Sequence, residues 1–172
     1  MSYRPICDTW ILGRSKVKYY GAYPEGFLSR ARVLLGVCLA DSVLHVCSGQ
    51  VRKYRWEGLG PHDETLDVRP ELKPDYVQDV TSPQHLPAGF DAMLADPPYT
   101  DADATQYGTA ECPTVHYLMR KMLEGLRPGQ RAGILHYEWP ACPPFAREVA
   151  VVGVTTGRRQ RLRQYTVMEV IR

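Results

Sequence analysis

Apolar and polar positions alternate along this chain in two distinct rhythms. Short apolar runs at 42–49, 64–68, 74–80 and 90–95 each end in a polar residue or a turn former, and read as strands. A helical rhythm appears elsewhere. Over 24–35, Phe27, Ala31, Leu34 and Leu35 recur at helical spacing after Pro24 and before Gly36, with Arg30 and Arg32 expected off the buried face. Over 113–126, Val115, Leu118, Met119, Met122 and Leu126 form one stripe, and Arg127-Pro128-Gly129 stops it.

The last third predicts a fifth strand at 133–137, a short helix at 143–148, and two extended pieces at 149–155 and 163–171. The two pieces read as an antiparallel hairpin around Gly157-Arg158-Arg159-Gln160-Arg161. The segment 50–63 is broken by Gly58, Gly60 and Pro61, and predicts a loop or at most one helical turn. The stretch 100–109 reads as a polar loop, mobile without ligand. Residues 1–23, rich in Tyr, Trp and basic side chains, read as an arm over the core, with an extended piece at 17–21.

Strands alternating with helices point to an α/β fold. At 172 residues the chain is expected to form one domain, with the arm at 1–23 and the core at 24–172. Hydrophobic content of 44% and charged content of 23% are ordinary for a globular protein and give no sign of long disorder. Five cysteines, odd in number and never C-x-x-C, argue against a disulfide framework and against zinc, and fit a reducing cytoplasm. No apolar signal region opens the chain and no run approaches the ~18 residues of a membrane span, so a soluble protein is expected. A net charge of +2 permits a nucleic-acid partner without requiring one. Positive charge gathers locally at Arg14, Lys16 and Lys18, at Arg52, Lys53 and Arg55, and at Arg158, Arg159, Arg161 and Arg163.

The run Phe90-Asp91-Ala92-Met93-Leu94-Ala95 ends in Asp96-Pro97-Pro98-Tyr99. Two prolines cannot continue a sheet ladder, so Asp96 and Tyr99 belong at the carboxyl end of a buried strand, where open α/β sheets place ligands. Asp-Pro-Pro-Tyr in this setting resembles the catalytic motif of S-adenosylmethionine-dependent amino-methyltransferases that act on N6 of adenine or N4 of cytosine in DNA, and on exocyclic amines in RNA in related enzymes. The resemblance implies a Rossmann-like class I methyltransferase fold, with a seven-stranded, mostly parallel sheet and an antiparallel last strand. It implies that Asp96 and the Pro97 carbonyl accept the two amine hydrogens, that Pro98 shapes the turn, and that Tyr99 stacks on the base. The base must be single-stranded or flipped out.

The same resemblance assigns the cofactor S-adenosylmethionine to Cys47, Ser48 and Gly49 after the first core strand, and to Asp67, Asp79 and Asp96 at successive strand ends. Asp67 follows Gly49 at close to the ~20-residue spacing of a ribose-binding acid. The family usually carries two or three glycines where this chain has Gly49 alone. Tyr107 is a candidate for stacking on a base, and Arg158, Arg159 and Arg161 for phosphate contacts. No metal is required, and His45 reads as a core or edge histidine. His136 and Trp139 are candidate contacts whose plainer role is packing.

The expected function is methyl transfer to an exocyclic amine of a nucleobase, adenine N6 or cytosine N4 in DNA. An RNA base is the alternative, and a catalytically silent nucleic-acid-binding protein of the same fold is another. A third is methylation of a protein glutamine or a small metabolite. The chain has no large recognition insertion. Specificity is therefore low, or a homodimer or separate partner supplies it, or the substrate is an RNA or a free nucleobase.

Overall fold

A computed structural model of the chain describes residues 3–15, 22–53, 57–106, 112–157 and 161–172. The described elements, in chain order, are β1 (Ile6–Ile11), α1 (Phe27–Leu35), β2 (Val43–Val46), β3 (Glu64–Asp67), β4 (Tyr76–Val77), β5 (Ala92–Ala95), α2 (Asp101–Gln106), α3 (Val115–Glu124), β6 (Arg131–His136), β7 (Ala146–Thr155) and β8 (Arg163–Val170). Two single-turn 3-10 segments, Val51–Lys53 and Pro70–Leu72, complete them.

The strands form one sheet in the order β1-β7-β8-β6-β5-β2-β3-β4. From β4 to β6 all neighbours are parallel, whereas β8 runs antiparallel between β6 and β7. The seven strands expected from the sequence are present, and an eighth is added. The N-terminal arm supplies it: β1 pairs in parallel with β7 from Ile6↔Ala150 to Ile11↔Thr155. Only Trp10 of β1 is buried. A single anchor of this kind leaves almost no periodic signal in the sequence, which is why the strand is not legible there.

The core has two layers, one on each face of the sheet. In β5 the side chains alternate, as the pleat requires: Met93 and Ala95 pack toward α3 with Leu118, Met119 and Met122, while Ala92 and Leu94 pack toward α1 with Phe27, Leu28 and Ala31. Burial on both faces explains the unbroken apolar run of β5 and the fully buried β2, whose one polar residue, His45, is satisfied by Asp63. The α1 layer is aromatic. Phe27 stacks on Tyr23 at 5.2 Å between centroids and meets the edge of Tyr165 at 5.1 Å, with Trp10 beside both. A side chain at Gly133 would overlap the Tyr165 ring, so a glycine in mid-β6 is what lets Tyr165 fill this layer.

Several expectations change. Arg32 is buried, not solvent-facing: its Nη1 donates to both oxygens of Asp63, at 2.9 and 2.8 Å, and its other nitrogens donate to the Cys38 and Asp41 carbonyls. His45 is a core histidine, with Nε2 3.0 Å from the same carboxylate. The polar stretch after Tyr99 contains a helix, α2, because Thr100 caps it: Oγ1 accepts from the Asp103 N–H at 3.1 Å and donates to the Asp103 carboxylate at 2.9 Å. The short helix expected at 143–148 is absent. Three prolines at 140–144 lead through a turn into β7, whose pairing with β8 begins at Ala146↔Val170. Among the described residues, the connection after β2 holds one 3-10 turn, Val51–Lys53, in keeping with the loop or single turn that its glycines and proline predict. The extended piece expected at 17–21 lies outside the described residues.

Candidate active site

The site is built by register. Val46 pairs with Leu66 on one side and Ala95 on the other, so Cys47, Asp67 and Asp96 lie abreast at the carboxyl edge of the parallel strands. The chain runs from β2 outward to β3 and β4 on one flank and returns to β5 on the other, and that reversal of strand order opens the crevice where such sheets bind ligands. Cys47 turns sharply with φ 55°, a left-handed conformation that a β-carbon makes costly. The Ser48 N–H then bonds the Leu66 carbonyl at 3.0 Å. Gly49 follows with φ 54°, and a β-carbon there would meet nothing within 4 Å, so its backbone faces open space.

Asp67 braces this turn. Its Oδ2 accepts from the Gly49 N–H at 2.8 Å, and its Oδ1 accepts from the backbone and side chain of Arg69 at 3.0 and 3.3 Å. A carboxylate has about four lone-pair sites, so these three contacts leave it room for one more donor. Asp79 sits two residues beyond Val77, which pairs with Asp67. Its exposed carboxylate receives Thr81 N and Oγ1 at 2.8 and 2.7 Å. The turn is held from α3 by Lys121, whose buried ammonium donates to the Val80 carbonyl at 2.9 Å and to the Ser82 carbonyl, joined by the Tyr117 hydroxyl at 3.2 Å. The carboxylates of Asp67 and Asp79 both bear on Cys47. Burial pushes its thiol pKa up strongly, and the negative charges of Asp67, Asp96 and Asp79 push it further.

On the other flank, Asp96 stands at the end of β5 with Pro97 buried behind it. Burial raises its pKa to about 6, although the Arg163 guanidinium and the Tyr99 hydroxyl both favour its ionised form. The Tyr99 hydroxyl donates to Asp96 Oδ1. Rings close around Tyr99: His136 meets it at 5.3 Å and Tyr137 at 4.7 Å between centroids, both edge-on. His136 Nδ1 accepts from the Glu138 N–H at 2.9 Å, so that nitrogen carries no hydrogen, and burial lowers the imidazole pKa. It is a poor general base. The Pro98 carbonyl takes the Cys112 thiol at 3.0 Å.

The residues expected to bind cofactor, namely Cys47, Ser48, Gly49, Asp67, Asp79 and Asp96, thus lie along one sheet edge, with Pro97, Pro98 and Tyr99 beside them. Of the basic hairpin, Arg161 is described, exposed and 5.8 Å above the Tyr137 ring. Tyr107, Arg158 and Arg159 lie outside the described residues. Trp139 is turned away to Glu148, bonding its carboxylate at 2.8 Å. Sequence reasoning missed Arg163 as a site residue. The pairing of His136 with Gln164 sets Arg163 across from Tyr137, where Nη1 donates to the Tyr99 hydroxyl at 3.2 Å. No local signal separates it from Arg161, which is exposed two positions before it. Lys121 was missed for a similar reason, since a lysine on a helix reads as solvated until the turn beneath it is placed.

A cavity of about 440 Å³ opens behind the Gly49 turn, lined by Ser48, Gln50, Arg52, Thr65 and Pro74 among others. It reaches none of the three strand-end carboxylates. It lies beside the 3-10 turn Val51–Lys53 after β2.

The sequence matches no family model and no curated protein. Several solved structures share the fold. TrmN from Thermus thermophilus superposes with a TM-score of 0.60 at 17% identity, over 84% of this chain and 48% of that one, so the chain spans about half its length. The N-methyltransferase NodS from Bradyrhizobium japonicum WM9 superposes at 0.51 with 14% identity, over 84% of this chain and 96% of its own. Its complex with S-adenosyl-L-homocysteine gives 0.50 at 14% identity, over 83% and 86%. At such identities the likeness carries the architecture alone: the protein has the Rossmann-like fold of the class I methyltransferases.

Proposed function

We propose that this protein is an S-adenosylmethionine-dependent methyltransferase that modifies an exocyclic amino group of a nucleobase, adenine N6 or cytosine N4 in DNA. The observation that carries the reading is the Asp96 carboxylate. It ends a buried strand at the Pro-Pro turn, accepts from Tyr99, whose ring is packed by His136 and Tyr137, and lies abreast of the Cys47–Gly49 turn.

The residues present fit the cofactor. Gly49 offers open backbone in front of a left-handed turn, Asp67 keeps one acceptor site for a ribose hydroxyl, and Asp79 presents a free carboxylate edge for an adenine amine. When bound, S-adenosylmethionine supplies an electrophilic methyl group.

An exocyclic amine is a poor nucleophile because its lone pair is delocalised into the base. Accepting both of its hydrogens from one side turns the lone pair outward. With Tyr99 on Oδ1, Asp96 Oδ2 has no partner among the described residues and is free to accept one amine hydrogen, while the Pro97 carbonyl takes the other. The gain is orientation and electrostatics in a partly desolvated site. The product proton leaves to water, so no histidine base is needed. When ionised, Asp96 accepts on both oxygens, whereas protonation places a hydrogen on one of them and weakens its hold on the amine, which ties activity to pH above about 6.

Calorimetric titration with S-adenosylmethionine and S-adenosylhomocysteine tests the first half of this reading. Micromolar binding, weakened at least tenfold in Asp67→Ala (about 1.4 kcal/mol), is expected. Methyl transfer to DNA in competition with RNA oligonucleotides, with Asp96→Ala as the inactive control, tests the second. Absence of cofactor binding by the wild type would overturn the enzyme reading in favour of a silent nucleic-acid-binding protein.

A further inference from the structure

Arg163 opens β8 at the root of the hairpin, paired across the strand with Val154. Its neighbour Arg161 is exposed, but Arg163 is half-buried and turned toward the methyl-transfer edge. It starts a hydrogen-bond chain of fixed direction. A guanidinium has donors only and an ionised carboxylate has acceptors only. Tyr99 lies between them, so its hydroxyl must accept from Arg163 Nη1 at 3.2 Å and send its own hydrogen to Asp96 Oδ1. The Tyr99 ring is fixed by His136 and Tyr137, so the chain has no slack on that side.

We propose that Arg163 is a positioning residue of the transfer reaction, holding Tyr99 and through it Asp96 so that Oδ1 is occupied and Oδ2 is presented to the substrate amine. The proposal rests on the methyltransferase reading above. The hairpin thereby has two basic roles, since Arg161 remains outside for the polymer while Arg163 orders the interior.

Among the described residues, Arg163 approaches Asp96 from β8 and Tyr99 from the carboxylate's own loop; Cys47 follows β2, and His136 of β6 with Tyr137 just beyond it stands behind Tyr99. Among these Arg163 supplies the positive charge that opposes the cost of burying the Asp96 carboxylate.

The test reads Asp96 directly, by carbon-13 NMR titration of its carboxyl in the wild type, Arg163→Gln, Arg163→Lys and Tyr99→Phe. The expected result is a midpoint raised by roughly one pH unit in Arg163→Gln and largely restored in Arg163→Lys. The combined Arg163→Gln and Tyr99→Phe change should shift it by less than the sum of the single changes. The pH profile of methyl transfer should move with the midpoint while S-adenosylmethionine affinity stays unchanged. An Asp96 midpoint identical in the wild type, Arg163→Gln and Arg163→Lys, or strictly additive effects of Arg163→Gln and Tyr99→Phe, would overturn the proposal. If Arg163→Gln does not fold, Tyr99→Phe decides: an Asp96 midpoint unmoved by loss of the hydroxyl that donates to Oδ1 refutes it. Failure of the wild type to methylate any amine would instead strike the underlying reading, because the Asp96 titration needs no substrate.

Discussion

Replacing Asp63 should destabilise the protein far more than a single carboxylate ordinarily does. Its side chain is 1% exposed and receives five hydrogen bonds: two from Arg32 Nη1 at 2.9 and 2.8 Å, one from Gly60 N at 2.8 Å, one from Val43 N at 3.2 Å and one from His45 Nε2 at 3.0 Å. Arg32 is equally buried and has only backbone carbonyls besides Asp63 among the described residues. Asp63→Asn keeps the volume but puts an N–H₂ group among donors and leaves a guanidinium uncompensated. Breaking a buried pair in this way costs about 3–5 kcal/mol, a large share of a typical domain stability of ~5–15 kcal/mol. The melting temperature should fall by roughly 6–20 °C, measured by calorimetry, with urea unfolding giving the free energy. Replacing both partners together, Arg32→Met with Asp63→Leu, should cost less than Asp63→Asn alone, because the buried charge leaves with its partner. Burial raises the Asp63 pKa, but the bonds from His45 and Arg32 outweigh it and hold the carboxyl below its usual range. The stabilisation is therefore full above the unfolded value near ~3.9 and is lost as pH falls through the folded one; Asp63→Asn should flatten that acid limb. A loss below about 1 kcal/mol in Asp63→Asn, within the range of an ordinary surface pair, would refute the reasoning.

The site gives three further expectations. Asp96→Asn should abolish methyl transfer yet raise the melting temperature at pH 8, since a pKa raised to about 6 means that ionising this carboxyl opposes folding above the unfolded value; equal wild-type and variant stabilities at pH 8 would contradict it. Gly49→Ala should lose about 1 kcal/mol, from the left-handed φ and not from a clash, so Gly49→Asn should cost less; urea midpoints compare them. Lys121→Met should loosen the 79–82 turn and weaken S-adenosylmethionine binding severalfold by calorimetry, whereas amide exchange at Thr81 and Ser82 unchanged from the wild type would count against that role.

What could be read in the chain was whatever is encoded within a few residues. Met93, Leu94 and Ala95 before two prolines specify a buried strand with a forced end, and the stripe from Val115 to Met122 specifies a helix, because burial and backbone sterics act locally there. Their order along the sequence then brings Cys47, Asp67 and Asp96 to one edge of a parallel sheet. Even the missed helix α2 had a local sign, the Thr100-Asp101-Ala102-Asp103 cap.

The partners across the sheet were not legible. Arg32 and Asp63 are separated by 31 positions, Lys121 and Val80 by 41, and Arg163 and Tyr99 by 64. An arginine or lysine carries no mark in its neighbours that says whether its charge will end in water or in the core. That choice is made by strand register and by which lone pairs the fold leaves empty. The sequence by itself determined the seven core strands, the two longer helices and the Asp96 motif; the tertiary structure decided that the arm would add β1 and which distant cations brace the site, because a single-anchor edge strand and the long side chains of Arg and Lys take their partners from three-dimensional packing.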